Sequence, residues 1–253
     1  MIIMSTKYGQ NFLVDEKVAL KEVEYAQVFP TDVVLEIGPG KGVLTKLLAE
    51  RARKVIAIEI DEKLVDNLIN WVPDNVELIH DDVLNVDFNS LPYFNKVVSN
   101  LPFEISSPLT FKLLDYDFDF AILIYQKEFA NRMVADVGSE DYSRLTVGVY
   151  YKSVCDVLDI VSKNCFDPVP KVDSCIVKIV PRKEPPFIIE NEGLFFDLTR
   201  ELFNQRRKMI KNTIQNVYNI NVDVPYGDRR VEELSPEEIG RLSNFIFNLK
   251  GNI

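Results

Sequence analysis

Four short apolar runs in the first half of the chain fix its architecture. They are Val33-Val34-Leu35-Glu36-Ile37, the stretch over 54–58, the stretch over 76–80 and Lys96-Val97-Val98-Ser99. All are rich in β-branched residues and of strand length, so they read as strands, the first of them buried. Helical spacing fills the gaps, from 43 to about 52 and over 62–71, and again around 109–114 before a further strand over 118–125. Strands alternating with helices at this interval predict an α/β fold with a doubly wound, mainly parallel sheet. Ligands of such sheets bind beyond the carboxyl ends of the strands. Those ends carry Gly38, Glu59, Asp81-Asp82 and Asn100, which the fold would set along one edge.

The rest of the chain is arranged around that sheet. Residues 5–16 lack either period and read as a polar arm laid on the body, followed by a helix over 14–29 and a break at Pro30. Beyond Gln126, helical stretches pass through Phe129 and Arg132 and over 142–151. Two late strands, over 154–161 and 175–180, flank a long loop and suggest an antiparallel hairpin on the sheet. Pro181-Arg182-Lys183-Glu184-Pro185-Pro186 is a proline-rich, charged linker. It divides a domain over 1–181 from a small helical domain over 187–253. In the latter, 194–217 has a helical period, and Ser235-Pro236-Glu237-Glu238 is a capped helix start.

Composition excludes several classes. No apolar run reaches the roughly 18 to 20 residues that span a bilayer, and Met1-Ile2-Ile3-Met4 turns polar too soon for a signal peptide, so a cytoplasmic protein without a membrane partner is expected. Cys155, Cys165 and Cys175 contain no CxxC pair and read as small buried side chains, with no metal expected. His80 is the single histidine, so a mechanism built on histidine would rest on it alone.

Chemistry is concentrated at Asn100-Leu101-Pro102-Phe103. Pro102 keeps Leu101 out of the helical region, so the backbone stays extended past the strand tip. The Asn100 side-chain oxygen and the Leu101 carbonyl then offer two acceptors suited to an amine with two hydrogens, and Phe103 offers a face to a planar base. The turn Gly38-Pro39-Gly40-Lys41-Gly42 lets a ligand approach backbone amides at a helix start. Val43 occupies the third glycine place of the dinucleotide fingerprint, which favours a carboxylate or amino acid moiety over a pyrophosphate. Glu59 is placed to accept from ribose hydroxyls, Asp82 from an adenine amine, and Ile60 and Val83 to sandwich the ring. This set fits S-adenosylmethionine better than NAD. Methyl transfer to an exocyclic amine needs no general base before attack, because the departing proton becomes acidic only after alkylation. A base reached in this way must lie outside a helix.

These motifs, with Gly9-Gln10-Asn11-Phe12-Leu13, Glu36-Ile37-Gly38-Pro39-Gly40, Gln126-Lys127-Glu128, Tyr142-Ser143-Arg144-Leu145, the segment Phe166-Asp167-Pro168-Val169-Pro170-Lys171-Val172-Asp173-Ser174 and Phe203-Asn204-Gln205-Arg206-Arg207-Lys208, make the chain similar to small-subunit ribosomal RNA adenine dimethyltransferases. The similarity runs from Gly9 to about Asn212. It implies a Rossmann-like methyltransferase sheet with a small C-terminal helical domain, and dimethylation of two adjacent adenosines near the 3′ end of that RNA during subunit assembly. Asn11, Leu13, Gly38, Gly40, Glu59, Ile60, Asp82 and Asn100 would serve S-adenosylmethionine. Asn100, Leu101, Pro102, Phe103 and Phe166 would serve the target base, the two phenylalanines clamping it from both faces. The family usually has tyrosine where this chain has Phe103, which leaves stacking intact and removes a hydroxyl.

A formal charge of −10 runs against a nucleic-acid partner, since phosphate binding works through Lys and Arg. By the resemblance, Arg206, Arg207, Lys208 and Lys211 on one predicted helix, with Lys127 and Arg132 in the other domain, supply a local basic stripe for RNA. The implied partner is small-subunit ribosomal RNA in a pre-assembled subunit, met by a monomer. The rival readings are a DNA adenine methyltransferase, a non-catalytic RNA-binding assembly or transcription factor on the same fold, and, more distantly, an NAD-dependent oxidoreductase.

Overall fold

A computed structural model describes residues 10–251, so Met1-Ile2-Ile3-Met4, the start of the arm and Gly9 lie outside the described residues. In chain order the elements are β1 (Phe12–Leu13), α1 (Glu16–Ala26), β2 (Val33–Ile37), α2 (Val43–Ala49), β3 (Lys54–Glu59), α3 (Glu62–Leu68), β4 (Val76–His80), β5 (Lys96–Asn100) and α4 (Ser106–Leu113). There follow β6 (Phe120–Gln126), α5 (Lys127–Met133), α6 (Arg144–Lys152), β7 (Ser153–Val161), β8 (Phe166–Asp167), β9 (Ser174–Pro181), α7 (Glu192–Asn204), α8 (Ile210–Tyr218) and α9 (Pro236–Gly251). Among these residues no helix is long and apolar enough to cross a membrane.

The chain packs into two compact units. The first holds the residues up to Ala130 together with Val154–Pro181, and the second holds Asn131–Ser153 and the chain from Arg182 onward. The linker marks one edge of the division, while Asn131–Ser153 departs from a contiguous 1–181 domain. Its reason is tertiary. Tyr142 is buried, donates to the Leu234 carbonyl at 2.8 Å and meets Phe203 edge-on, so this segment belongs to the core of the helical unit.

The first unit is built on a seven-stranded sheet ordered β4-β3-β2-β5-β6-β9-β7. β2 pairs parallel with β3 and β5, and β6 parallel with β5, whereas β9 runs antiparallel to β6. All five residues of β2 are buried, as befits a central strand covered on both faces. Strand order reverses between β2 and β5, and there the ladder ends early. Val34 and Leu35 pair with Lys96 and Val97, but the strands continue to Ile37 and Asn100 without a further rung. Ser99 bridges the gap, its hydroxyl donating to the Ile37 carbonyl and accepting from the Ile37 N–H. The splay opens the sheet at its topological switch point, where such folds bind ligands. At the opposite edge a buried ion pair, Lys96 to Asp32 at 2.7 Å, fastens β5 to the loop before β2.

α1 is capped by Asp15, whose carboxylate accepts from the Lys17 N–H, and it buries Val18, Ala19, Val23 and Ala26 against the sheet. Its fifth buried residue is Glu22, which sequence periodicity passes over. α2 ends at Ala49 and α3 at Leu68, each a few residues short of expectation. Of the cysteines only Cys175 is buried, while Cys155 and Cys165 are half-exposed.

In the second unit the helical period over 194–217 resolves into two helices. α7 ends at Asn204, α8 begins at Ile210, and Arg206-Arg207-Lys208 lies in the turn between them. The break is held from outside the turn: Arg206 reaches the Ser139 and Glu140 carbonyls, and Met209 forms an isolated bridge with Arg230. α9 starts as expected, Ser235 and Glu238 capping each other's backbone N–H groups.

Candidate active site

Two adjoining lobes lie at the carboxyl edge of the sheet, each enclosing about 600 Å³ of free space open to solvent. Gln10, Gly38, Glu59 and Pro102 border both. The first lobe runs from the glycine turn to Asn100, Leu101 and Phe103 and is walled by residues 10–13. The second is bordered by Ile60, Asp81, Asp82, Val83, Glu104 and Ile105.

The glycine turn owes its shape to positive φ angles at Gly38, Gly40 and Gly42. At Gly40 a Cβ would stand 2.9 Å from the Phe12 ring, and at Gly42 one would stand 2.3 Å from the Trp71 ring, so neither place admits a side chain without displacement. The turn starts α2 and opens its backbone toward the first lobe. Glu59, at the tip of β3, is buried and sits between the lobes. One of its oxygens accepts from the Gly40 N–H at 3.1 Å, the other from the Ile60 and Asp61 N–H groups at 3.0 Å. Burial raises its pKa, and the three N–H groups act against that by favouring the charged form. Three donors on a carboxylate with about four acceptor directions leave room for a ribose hydroxyl.

Asp82 turns one carboxylate oxygen to the Leu84 N–H at 2.9 Å, fixing the loop that carries Val83, which borders the second lobe as Ile60 does. His80 is exposed and lies 3.3 Å from the Ile60 carbonyl, in a structural position at the strand end. Beneath the first lobe, Glu36 is 1 % exposed with one carboxylate oxygen lacking any partner, and burial raises its pKa to about 8. Glu22 is also buried, both oxygens unpartnered, and burial with the nearby Glu36 raises its pKa well above the usual carboxylate range.

At the tip of β5 Asn100 borders the lobe, and its side-chain oxygen is buried and has no hydrogen-bond partner. A buried acceptor left unpaired is costly, on the order of 1–3 kcal/mol, and such an atom at a cleft wall marks a place for a ligand donor. Leu101 is buried beside it, and Phe103 opens a short 3-10 turn on the same wall. Phe166 is close but does not border the lobe. It is 1 % exposed and meets Phe103 edge-on, with ring centroids 6.3 Å apart and planes at 64°.

Of the predicted site residues, Asn11, Leu13, Gly38, Gly40, Glu59, Ile60, Asp82, Asn100, Leu101, Pro102 and Phe103 all border the two lobes. Gln10, Phe12, Glu36, Lys41 and Glu104 border them too, without having been singled out as contacts. The predicted RNA residues are scattered. Lys127 is exposed in the first unit, Arg132 in the second. Arg206 spends its guanidinium on Glu232 at 2.6 Å and on two backbone carbonyls, and Lys211 is paired with Asp228. Arg207 and Lys208 are exposed.

A parallel sheet split at its switch point, a glycine turn, a buried carboxylate between the two lobes and an unpaired acceptor beside an aromatic ring fit an S-adenosylmethionine-dependent methyltransferase of the Rossmann-like class, with amine nitrogen as its target. The family model for ribosomal RNA adenine dimethylases matches residues 3–247. The chain belongs to that family. It is 44% identical over 257 residues to a probable ribosomal RNA small subunit methyltransferase A of Methanosarcina acetivorans, covering 96% of this chain and 94% of the relative. A similarly described protein of Thermococcus onnurineus is also 44% identical, over 94% of this chain and 90% of its own. Among solved structures, a dimethyladenosine transferase from Plasmodium falciparum matches with a TM-score of 0.78 at 29% identity, covering 95% of this chain and 98% of that one. The 23S rRNA methyltransferase ErmE matches with a TM-score of 0.68 at 28% identity, over 92% and 98%. This chain is therefore an enzyme that dimethylates adenine in ribosomal RNA with S-adenosylmethionine, and the oxidoreductase, DNA-modifying and non-catalytic readings are set aside.

Proposed function

We propose that the enzyme dimethylates the exocyclic amines of two adjacent adenosines near the 3′ end of small-subunit ribosomal RNA, acting as a cytoplasmic monomer on a pre-assembled subunit. The unpartnered, buried oxygen of Asn100 at the cleft wall is the observation that supports the assignment of the reacting amine.

The residues present fit the cofactor. Ile60 and Val83 flank its adenine with Asp82 at the edge, and Glu59 takes the ribose. The glycine turn with the unpaired oxygen of Glu36 suits its amino acid end, while Asn11 and Leu13 close the first lobe. When bound, S-adenosylmethionine supplies a methyl group on a positively charged sulfur. The chain's own work is to hold the amine. Asn100 accepts one amine hydrogen and the Leu101 carbonyl the other, which favours the pyramidal nitrogen whose lone pair is free of the ring. Pro102 keeps that backbone extended, and Phe103 stacks on the base. The contribution is orientation and preorganised polarity, with no histidine and no general base before attack. Arg207 and Lys208, with Lys127 and Arg132, take the RNA phosphates, while Arg206 and Lys211 brace the turn and its neighbour Asp228.

The test is incubation with labelled S-adenosylmethionine and unmethylated small ribosomal subunits, digestion of the RNA and quantification of dimethyladenosine. The wild type is expected to yield dimethyladenosine at two adjacent positions, and Asn100→Ala about 10²–10³-fold less at saturating cofactor. Equal yield from Asn100→Ala would remove that residue from the mechanism, and absence of cofactor binding by the wild type would overturn the whole reading.

A further inference from the structure

The arm over residues 10–13 has two working faces. One walls the first lobe. The other is sewn to the loop that carries Phe166: Phe12 pairs with Asp167 and Leu13 with Phe166 in an antiparallel ribbon of β1 and β8. The Asn11 amide donates to the Pro168 carbonyl at 2.7 Å, and the Val14 N–H to the Cys165 carbonyl at 2.9 Å. The ribbon is also fastened to the glycine turn. Lys41 pairs with Asp167 at 3.5 Å and lies over the Phe12 ring at 5.1 Å, while that ring fills the space a side chain at Gly40 would need. A continuous set of contacts thus leads from Gly40 and Lys41, at the cofactor end, through Phe12 and Asp167 to Phe166 and Phe103, at the base end.

The base end is closed in this arrangement. A planar base between two parallel rings needs about 7 Å between their centres, twice an aromatic contact distance of about 3.5 Å. The rings of Phe103 and Phe166 are 6.3 Å apart and steeply inclined, already in contact with each other. A base clamped on both faces requires them to part. Phe166 is part of β8, so its displacement moves the same ribbon that walls the cofactor lobe.

We propose that the β1–β8 ribbon couples the two ligands: filling the cofactor lobe draws the ribbon toward the position that parts Phe103 and Phe166, so cofactor and target adenosine each strengthen binding of the other. This rests on the function proposed above and on the two-faced clamp that the family resemblance implies for Phe103 and Phe166. Linkage requires the two effects to be equal, whichever ligand arrives first. Asp167 is a positioning residue here. It borders neither lobe and acts through Lys41 and Phe12.

The experiment uses the full chain, S-adenosylhomocysteine as an unreactive cofactor probe and unmethylated small ribosomal subunits. Subunit affinity is measured with and without saturating S-adenosylhomocysteine, and S-adenosylhomocysteine affinity with and without subunits. The wild type is expected to show the same gain, several-fold, in both directions. Asp167→Asn removes an exposed ion pair and is expected to cut that gain by about two- to fivefold. It should retain binding of each ligand alone, and in turnover raise KM for subunits with kcat little changed. Reversing the pair, with Lys41→Asp and Asp167→Lys together, is expected to restore part of the gain. Ligands that bind equally well alone and together in the wild type overturn the coupling, as does a gain that Asp167→Asn leaves intact. Failure of the wild type to bind S-adenosylhomocysteine overturns instead the function on which the coupling rests.

Discussion

A carboxyl group buried in a protein with an oxygen left unpaired has to be neutral or matched by a ligand, and Glu36 is such a group at the first lobe. Its pKa is pushed to about 8 by burial, against 4.5 for an ordinary glutamate. Between those two values the unfolded chain has lost a proton that the folded protein keeps, so stability falls as pH rises through that window and is level on either side. Glu36→Gln removes its share of the dependence. Calorimetric melting from pH 4 to pH 9 should show the variant level with the wild type near pH 4 and several degrees higher at pH 8. A constant offset across the range would mean that Glu36 does not titrate as its burial implies. The sequence shows Glu36 only as one polar letter in an apolar run, and Glu22 as an ordinary helix glutamate. Burial from two elements at once, α1 and β2, gives them their character, and neither local pattern carries that information. Asn100 is different. Its strand, its position at the tip and the proline after the next residue are all local, so its place at the cleft wall is legible directly.

Elements divide along the same line. Parallel strands announce themselves by continuous β-branched runs, and the glycine turn by composition, whereas β1 and β8 are two residues each and leave no periodicity to read. The break between α7 and α8 was equally silent, because Asn204-Gln205-Arg206-Arg207-Lys208-Met209 contains neither glycine nor proline. It is imposed by Arg206 binding carbonyls at Ser139 and Glu140, more than sixty residues away. Where local composition does govern, the cost of violating it can be stated. Gly42 opens α2 at φ +80°, with Trp71 and Leu68 packed where a side chain would go. Gly42→Ala combines a left-handed backbone penalty of about 1–2 kcal/mol with overpacking of about 1–3 kcal/mol. Urea unfolding should show a lower midpoint at unchanged slope. Trp71→Ala in the same chain should return part of the loss by removing the nearer obstruction, and an equal loss in both backgrounds would assign the cost to the backbone and Leu68.

For the whole molecule, the excess of acid over base is the property that sits least easily with an RNA substrate. The domain division is part of the answer. Asn131–Ser153 leaves the sheet unit to join the helices, a detour no linker composition announces, and it carries the Ser139 and Glu140 carbonyls that occupy Arg206. That leaves few cations for phosphates: Arg207 and Lys208, with Lys127 and Arg132, among those assigned to RNA. Each neutralised phosphate contributes about −0.7 to −0.9 to the slope of log affinity against log salt. Four contacts therefore predict a slope of about −3 to −4, shallow for a ribosomal RNA enzyme that must hold its place, so that the folded shape of the RNA carries the remaining selectivity. Arg207→Ala should lower affinity for small subunits and flatten the slope by about one, with cofactor affinity unchanged. Arg206→Ala should instead lower the unfolding midpoint, because it frees Glu232 and two carbonyls from their donor. Filter binding over a salt series, with a melting curve for each variant, separates the two roles. A flattened slope from Arg206→Ala in a fully folded protein would place that residue on the RNA after all.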